Sequence, residues 1–261
     1  MTSVYRFLSL SVWGSLPSNI QRKVSKYYSQ VYNKSFTKYI IKPYCRLNRL
    51  DEVYLNQFRS ETGSVNYSSF QDFFTRVYKT RPKISSEYIW PCEGLLCDKG
   101  KVGELPAINV KGDKKNIKAI FGKQGCNIPN THYFTNVFLH NNNYHRIHAP
   151  VSGTVKYIEH IPGDLVILRP WVYKHDPSLP AMRNERVNVT IEDISGRYWY
   201  LSIVGGPAVG TIELPQVVRK GNSITIGDEV GKFLLGSTLC MASPQPTDTP
   251  NNSQVVVAQK Y

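Results

Sequence analysis

The chain has 261 residues, five of them Cys, with 32 Lys/Arg against 19 Asp/Glu and a formal net charge of +13 at pH 7. That length buries a sizeable core, as one domain or as one domain with a helical appendage. The odd cysteine count, with no CxxC pair and no zinc spacing, argues against a disulfide scaffold and predicts a reducing compartment; no run approaches the roughly 18 apolar residues of a membrane span.

Residues 1–50 carry nine Lys/Arg and no Asp or Glu, so they hold +9 of the charge and the remainder +4. Such asymmetry points to an anionic partner, either a membrane surface or nucleic acid. No zinc knuckle, RNP-type aromatic motif or helix-turn-helix supports nucleic acid. The membrane has more in its favour. Phe7, Leu8, Leu10, Val12, Trp13 and Leu16 make an apolar start, and Pro17-Ser18-Asn19 offers a helix cap. Ile20, Val24, Tyr27, Tyr28 and Val31 then recur at helical spacing, with Lys and Arg at other positions. This is the pattern of a basic amphipathic helix lying in a membrane plane; a surface helix docked on the core shares it. A Ser-rich, acid-poor start also suits a cleaved targeting segment, but the helical pattern runs on past any cleavage site.

Residues 51–89 read as helical and then extended. Ser68 to Arg76 reads as a capped amphipathic helix closed off near Arg81-Pro82, its aromatics belonging to the core. From Trp90 onward short β-rich runs alternate with Gly, Pro and Asn turns, as in a sandwich or barrel. The expected strands are 107–110, 134–139, 153–158, 164–169, 186–192, 197–204, 208–213 and 223–226, with 223–235 and the segment after residue 237 in one sheet. The turns around Ala149–Val155, Ile161–Val166 and Ile226–Gly231 resemble those of lipoyl- and biotinyl-type barrel-sandwich hybrids, but no Lys sits at a hairpin tip to act as a carrier. The fold class is therefore α+β: a basic helical segment over 1–89, then a mostly antiparallel β sandwich or barrel over 90–261.

Three stretches carry chemistry. Trp90-Pro91-Cys92-Glu93-Gly94 places a carboxylate in a Pro/Gly turn, and Tyr144-His145-Arg146-Ile147-His148 holds two of the six histidines. In an extended segment an offset of three puts these on opposite faces, whereas in a turn they converge. Either serves as an acid or base near neutral pH, and no third His or Cys at ligand spacing argues for a metal. The third is Phe233-Leu234-Leu235-Gly236-Ser237-Thr238, only 25 residues from the C-terminus (261 − 236). A Ser hydroxyl can attack the preceding carbonyl, turning peptide into ester; elimination and hydrolysis then leave a pyruvoyl group on the new fragment. Gly on the acyl side lets the backbone bend without a Cβ clash. A pyruvoyl ketone condenses with an amine and acts as an electron sink.

Taken together, these stretches resemble the phosphatidylserine decarboxylases, pyruvoyl enzymes made by self-cleavage. The family carries a Pro-x-Asp-Gly turn, a Tyr-His-Arg-x-His-x-Pro segment and a late Leu-Gly-Ser-Thr. Phe73-Phe74-Thr75-Arg76, Pro162-Gly163-Asp164-Leu165, Asn184-Glu185-Arg186-Val187 and Val204-Gly205-Gly206-Pro207 match in order, so the likeness spans nearly the whole chain. It implies that Ser237 is the cleavage nucleophile and pyruvoyl precursor, with Gly236 on the acyl side. It further implies that His148 is the activating base, Glu93 the acid that orients it, and His145 a group for decarboxylation. The implied substrate is phosphatidylserine in an anionic bilayer and the product phosphatidylethanolamine. The implied partners are the two cleavage fragments for each other, with a homodimer as a further candidate and no nucleic acid. The implied place is the periphery of a bacterial cell membrane or mitochondrial inner membrane. One departure stands out: the family has Asp where this chain has Glu93, and the extra methylene moves the carboxylate by about 1.5 Å, with Asp98 a distant substitute. Two other readings stay open, a non-cleaving lipid-binding paralogue and a pyruvoyl decarboxylase of a soluble amino acid.

Overall fold

A computed structural model describes residues 7–12, 16–64, 66–173, 175–206, 212–234 and 236–261. Trp13, Leu235 and the Pro207 to Gly210 stretch lie outside the described residues, as do the side chains of Leu10 and Tyr28.

The basic start is helical. A π-helical turn over Leu8–Val12 is followed by α1 (Ser18–Tyr32), a 3-10 turn over Ser35–Ile40, α2 (Ile41–Leu47) and α3 (Glu52–Leu55). The expected side-chain cap of α1 is not used: Pro17 occupies the cap position, and its carbonyl takes the amides of Ile20 and Gln21. Ile20, Val24 and Tyr27 all face outward, with exposures of 45%, 50% and 72%, so the apolar stripe of α1 is not spent on the core. Among the described residues no helix is long and apolar enough to cross a membrane. A two-residue strand pair, β1 (Phe58–Arg59) with β2 (Val77–Tyr78), brackets α4 (Phe70–Phe74). α4 is capped as its sequence predicts: Ser69 Oγ accepts from the Asp72 amide, and the Asp72 carboxylate accepts from the Ser68 amide. Phe70, Phe73 and Phe74 are buried under Tyr44 of α2 and Tyr67.

The strands that follow are β3 (Gly94–Lys101), β4 (Ile108–Val110), β5 (Asp113–Lys115), β6 (Tyr133–Leu139), β7 (Arg146–His148), β8 (Gly153–Ile161), β9 (Arg186–Asp193), β10 (Tyr198–Gly205), β11 (Ile212–Glu213), β12 (Ser223–Ile224), β13 (Glu229–Phe233), β14 (Ser237–Ser243) and β15 (Gln254–Val255). A short helix, α5 (Leu179–Arg183), precedes β9. Eight strands form one antiparallel sheet in the order β12-β8-β9-β10-β14-β6-β3-β15. Its outer strands are not joined, so the α+β class holds with an open sheet and no closed barrel. A smaller sheet, β11-β13-β7, carries the His pair and the approach to the Gly-Ser motif.

Both faces of the large sheet are covered. Along β14, Leu239 and Met241 enter one apolar cluster with Trp90, Ile147, Val230 and Phe233, whereas Cys240 and Ala242 enter a second with Phe121, Phe134 and Met182. The period-2 alternation of a strand does this sorting. The first cluster joins the large sheet to β7 and β13, so the small sheet lies over that face.

Two strand expectations fail. Residues 223–235 do not share one sheet with the segment after 237, because β12 belongs to the large sheet and β13 to the small one. Residues 164–169 form no strand beyond one bridge, Asp164 to Asn184. The buried Asn184 side chain takes the place of a partner strand there. Its Oδ1 accepts from the Val166 amide at 2.9 Å, and its Nδ2 donates to the Val166 carbonyl at 2.8 Å.

Candidate active site

The Gly-Ser motif sits where the small sheet hands the chain to the large one. β13 ends at Phe233, whose amide donates to the His145 carbonyl at 2.9 Å. Gln71 of α4 donates from Nε2 to the Leu234 carbonyl at 2.7 Å, pinning the connecting turn. Gly236 has φ +56, in the left-handed region that glycine enters without steric cost. Ser237 opens β14 between Leu139 of β6 and Gly205 of β10. The carbonyl of Gly236, the one a Ser237 hydroxyl would attack, accepts from the Gly206 amide at 3.0 Å.

Ser237 is fully buried and its Oγ has no hydrogen-bond partner. An unmade hydrogen bond in the interior costs about 1–3 kcal/mol, so the hydroxyl is held in a state that reaction relieves. Alternation places the Ser237 side chain on the face of Leu239 and Met241, toward the small sheet.

The His pair answers the question its spacing raised. The segment is extended, and the two rings have different neighbours. His145, immediately before β7, is fully buried with its ring centroid 3.8 Å from that of Phe74. Its Nδ1 lies 2.8 Å from the Asn143 carbonyl, and its Nε2 is buried without a partner. His148 lies beyond Ile147, in a 270 Å³ cavity with Tyr78, Ile84, Tyr144 and Gly227. Its Nδ1 is 2.8 Å from the Gly227 carbonyl, and its Nε2 is 3.0 Å from the Tyr144 hydroxyl. A carbonyl only accepts, so Nδ1 carries the proton in each neutral ring and Nε2 is the bare base. Burial pushes the His148 pKa down to about 4, and burial with the nearby Arg76 cation holds His145 well below the usual imidazole range. Both rings are therefore neutral at pH 7. The Nε2 of His148 is occupied by the Tyr144 hydroxyl, which burial keeps protonated, whereas that of His145 is unoccupied.

Glu93 is buried in its turn but does not touch His148. The Tyr54 hydroxyl donates to its two carboxylate oxygens at 2.8 and 3.0 Å, and Asn143 Nδ2 donates to Oε1 at 2.7 Å. The longer Glu stem reaches toward α3 and the 140–143 turn. Glu93 thus meets His145 at one remove, through Asn143, while His148 meets the same turn only by its amide, which donates to the Pro91 carbonyl at 2.8 Å. Asp98 is elsewhere, accepting from Ser178 Oγ at 2.8 Å.

Several residues here carry no catalytic signal in the sequence. Arg76 is buried, makes no ion pair among the described residues, and donates to the carbonyls of Asn142 and Asn143 at 2.8 and 2.9 Å. Its guanidinium lies 4.8 Å from the Phe58 ring centroid. Phe74 is a core aromatic, as expected, and also the wall behind His145. Asn143 could have been suspected only from its place beside Tyr144-His145.

This constellation has known relatives. A family model for phosphatidylserine decarboxylase matches residues 70–261, from the first residue of α4 to the end of the chain. The chain belongs to the phosphatidylserine decarboxylase family. A phosphatidylserine decarboxylase proenzyme of Herminiimonas arsenicoxydans is 31% identical over 209 residues, covering 72% of this chain and 70% of that protein. The proenzyme of Delftia acidovorans is 30% identical over 216 residues, 75% of each chain. That of Methylobacillus flagellatus is 30% identical over 201 residues, 69% of this chain and 71% of its own. The decarboxylase family match begins at α4, so the exposed basic helices before it lie outside the matched region.

Proposed function

We propose that this chain cuts itself between Gly236 and Ser237 and then decarboxylates phosphatidylserine to phosphatidylethanolamine at a membrane surface. The observation that carries the reading is the buried, unpartnered Ser237 hydroxyl beside a Gly236 carbonyl already engaged by an amide. An orphaned hydroxyl next to a left-handed Gly fits a group made from that serine. A pyruvoyl ketone at position 237 supplies the carbonyl that takes the substrate amine and draws off the electrons of the breaking carbon–carbon bond.

The residues of the chain act as follows. Ser237 Oγ loses its proton to an imidazole and bonds to the Gly236 carbonyl carbon; the Gly236–Ser237 C–N bond then breaks, its nitrogen taking a proton, to leave an ester. Loss of the residue 237 Cα proton and breakage of the Cβ–Oγ bond release Gly236 as a carboxylate. Water then hydrolyses the residual enamine, with loss of ammonia. In the assignment that the family resemblance implies, His148 is the base for Ser237, Glu93 the acid that supports it, and His145 serves the decarboxylation. That assignment requires His148 to give up the Tyr144 hydroxyl. A second assignment exchanges the rings: His145 takes the Ser237 proton, with Asn143 linking it to Glu93. The bare, buried Nε2 of His145 favours it.

Exposed Ile20, Val24 and Tyr27 on a basic helix support docking on an anionic bilayer, where the lipid substrate resides. Intact mass of the purified chain tests the function: two associated fragments, one of 25 residues capped by pyruvoyl, together with release of CO2 from phosphatidylserine vesicles. A chain that stays at full mass after long incubation supports the non-cleaving paralogue instead, and activity on free serine without activity on vesicles supports the soluble-substrate reading.

A further inference from the structure

Asn184 and the Gly205-Gly206 pair lie far apart in sequence from Ser237, and the account of the cut has not used them. Gly206 follows the last residue of β10, and its amide donates to the Gly236 carbonyl at 3.0 Å. The approach is so close that a Cβ on Gly206 would stand 2.9 Å from Gly236 Cα and 3.1 Å from its carbonyl carbon and oxygen. Residue 206 is therefore shaped to bring its main chain against the carbonyl under attack.

The peptide that presents this amide is itself held. The Gly205 carbonyl, in the same peptide plane as the Gly206 N–H, accepts from Asn184 Nδ2 at 3.0 Å. The Gly205 amide donates to the Glu185 carbonyl at 2.8 Å. Asn184 has no freedom to leave, because it is fully buried and the two ends of its carboxamide also clamp Val166. One line of hydrogen bonds thus runs from the Asn184 carboxamide through the Gly205–Gly206 peptide to the Gly236 oxygen. Such chains polarise one another, so each donor strengthens the next.

We propose that the Gly206 amide is the oxyanion donor for self-cleavage and that Asn184 is its positioning residue; this rests on the self-cleavage reading above. As the Ser237 oxygen bonds to the Gly236 carbon, the carbonyl electron pair moves onto the Gly236 oxygen. The bond from Gly206 then becomes a charge-assisted one, about twice as strong as a neutral one. It is made before the reaction and tightens as charge develops, which is how a preorganised donor lowers a barrier. The electron pair returns when the C–N bond breaks, and the donor is neither consumed nor altered.

The test follows ester formation and final cleavage separately, by quenching the refolded proenzyme with hydroxylamine, which cuts the ester but not the peptide. Gly206→Pro, which lacks the amide proton, should slow ester formation by about 10²–10³-fold, the usual cost of losing one such donor. Gly206→Ala keeps the proton but crowds Gly236, and should be at least tenfold faster than Gly206→Pro. Asn184→Asp, which sets a carboxylate against the Gly205 carbonyl, should slow the ester step while leaving its subsequent elimination unchanged. A measurement without any variant at 206 guards against misfolding. In the Ser237→Ala proenzyme, labelled with 13C and 15N only at glycine, a scalar coupling across the hydrogen bond should join the Gly206 nitrogen to the Gly236 carbonyl carbon. Absence of that coupling, or ester formation by Gly206→Pro at the wild-type rate, overturns the proposal. A wild-type chain that makes neither ester nor fragments while showing the coupling sinks the self-cleavage reading, and the donor role falls with it.

Discussion

At the scale of single residues, the site is a set of buried polar groups whose partners decide what each can do. His145 and His148 share a tautomer and a depressed pKa, yet only one has its bare nitrogen unoccupied. His145→Ala and His148→Ala should therefore separate: one should remain uncut, and the other should cut but fail to decarboxylate. Fragment mass and CO2 release read the two steps; identical behaviour in both assays would refute either assignment. Because both rings are neutral, cleavage should keep its rate from pH 8 to pH 6. Loss should come only as pH falls toward about 4, if His148 is the base, or lower if it is His145. The same shift bears on stability. The unfolded chain binds protons at an ordinary imidazole pKa near 6.5, so the folded state is at full strength above that value. It weakens as pH drops toward about 4, where His148 charges in the fold as well. Glu93 ties Tyr54 to Asn143, and Glu93→Ala would strand two buried donors at about 1–3 kcal/mol each. A lowered melting temperature and a slower cut are expected; maturation at the wild-type rate would reduce Glu93 to a loop carboxylate.

At the scale of elements, the short helix α4 does more than its five residues suggest. Its Ser69 cap and three phenylalanines were legible from spacing alone, because capping and amphipathic burial are local effects. Its contacts with the Leu234 carbonyl and with His145 were not legible, since nothing local marks a Gln or Phe as facing a segment 163 residues away. Gln71→Ala should slow the cut by loosening the turn before Gly236, while leaving the fold intact by circular dichroism. A wild-type time course for that variant would show the bond to be incidental. β14 escaped the reading for a related reason. Its seven residues are buried on both faces, so Ser-Thr-Leu-Cys-Met-Ala-Ser shows none of the polar alternation that betrays a half-exposed strand. The reverse error at 164–169 came from an apolar run whose backbone is satisfied by one Asn side chain. The motifs that named the family were readable because they are contiguous; the contacts joining them were not, because they depend on which face each strand turns inward.

At the scale of the whole molecule, the basic start and the β-rich body divide membrane from chemistry. Each surface Lys or Arg contributes about 1 kcal/mol at an anionic leaflet, and salt screens it. Sedimentation with anionic vesicles should fall with salt to a resistant remainder, and the triple change Ile20→Ser, Val24→Ser, Tyr27→Ser should remove that remainder. Unchanged binding would make α1 a docked structural helix. Point changes are preferable to deletion, because Tyr44 of α2 packs edge-on against Phe70 and Phe73 of α4. The position of β14 has a further consequence. The last 25 residues supply a strand at the middle of the eight-stranded sheet, between β10 and β6, and an outer strand, β15. Before the cut, closing that sheet is an event within one molecule; afterwards, it is an encounter between two. The chain therefore has one opportunity to fold with its sequence intact, and the cut discards the connectivity that made folding first-order. Regain of structure from denaturant should be independent of concentration for the Ser237→Ala proenzyme and steeply dependent on it for the mature protein.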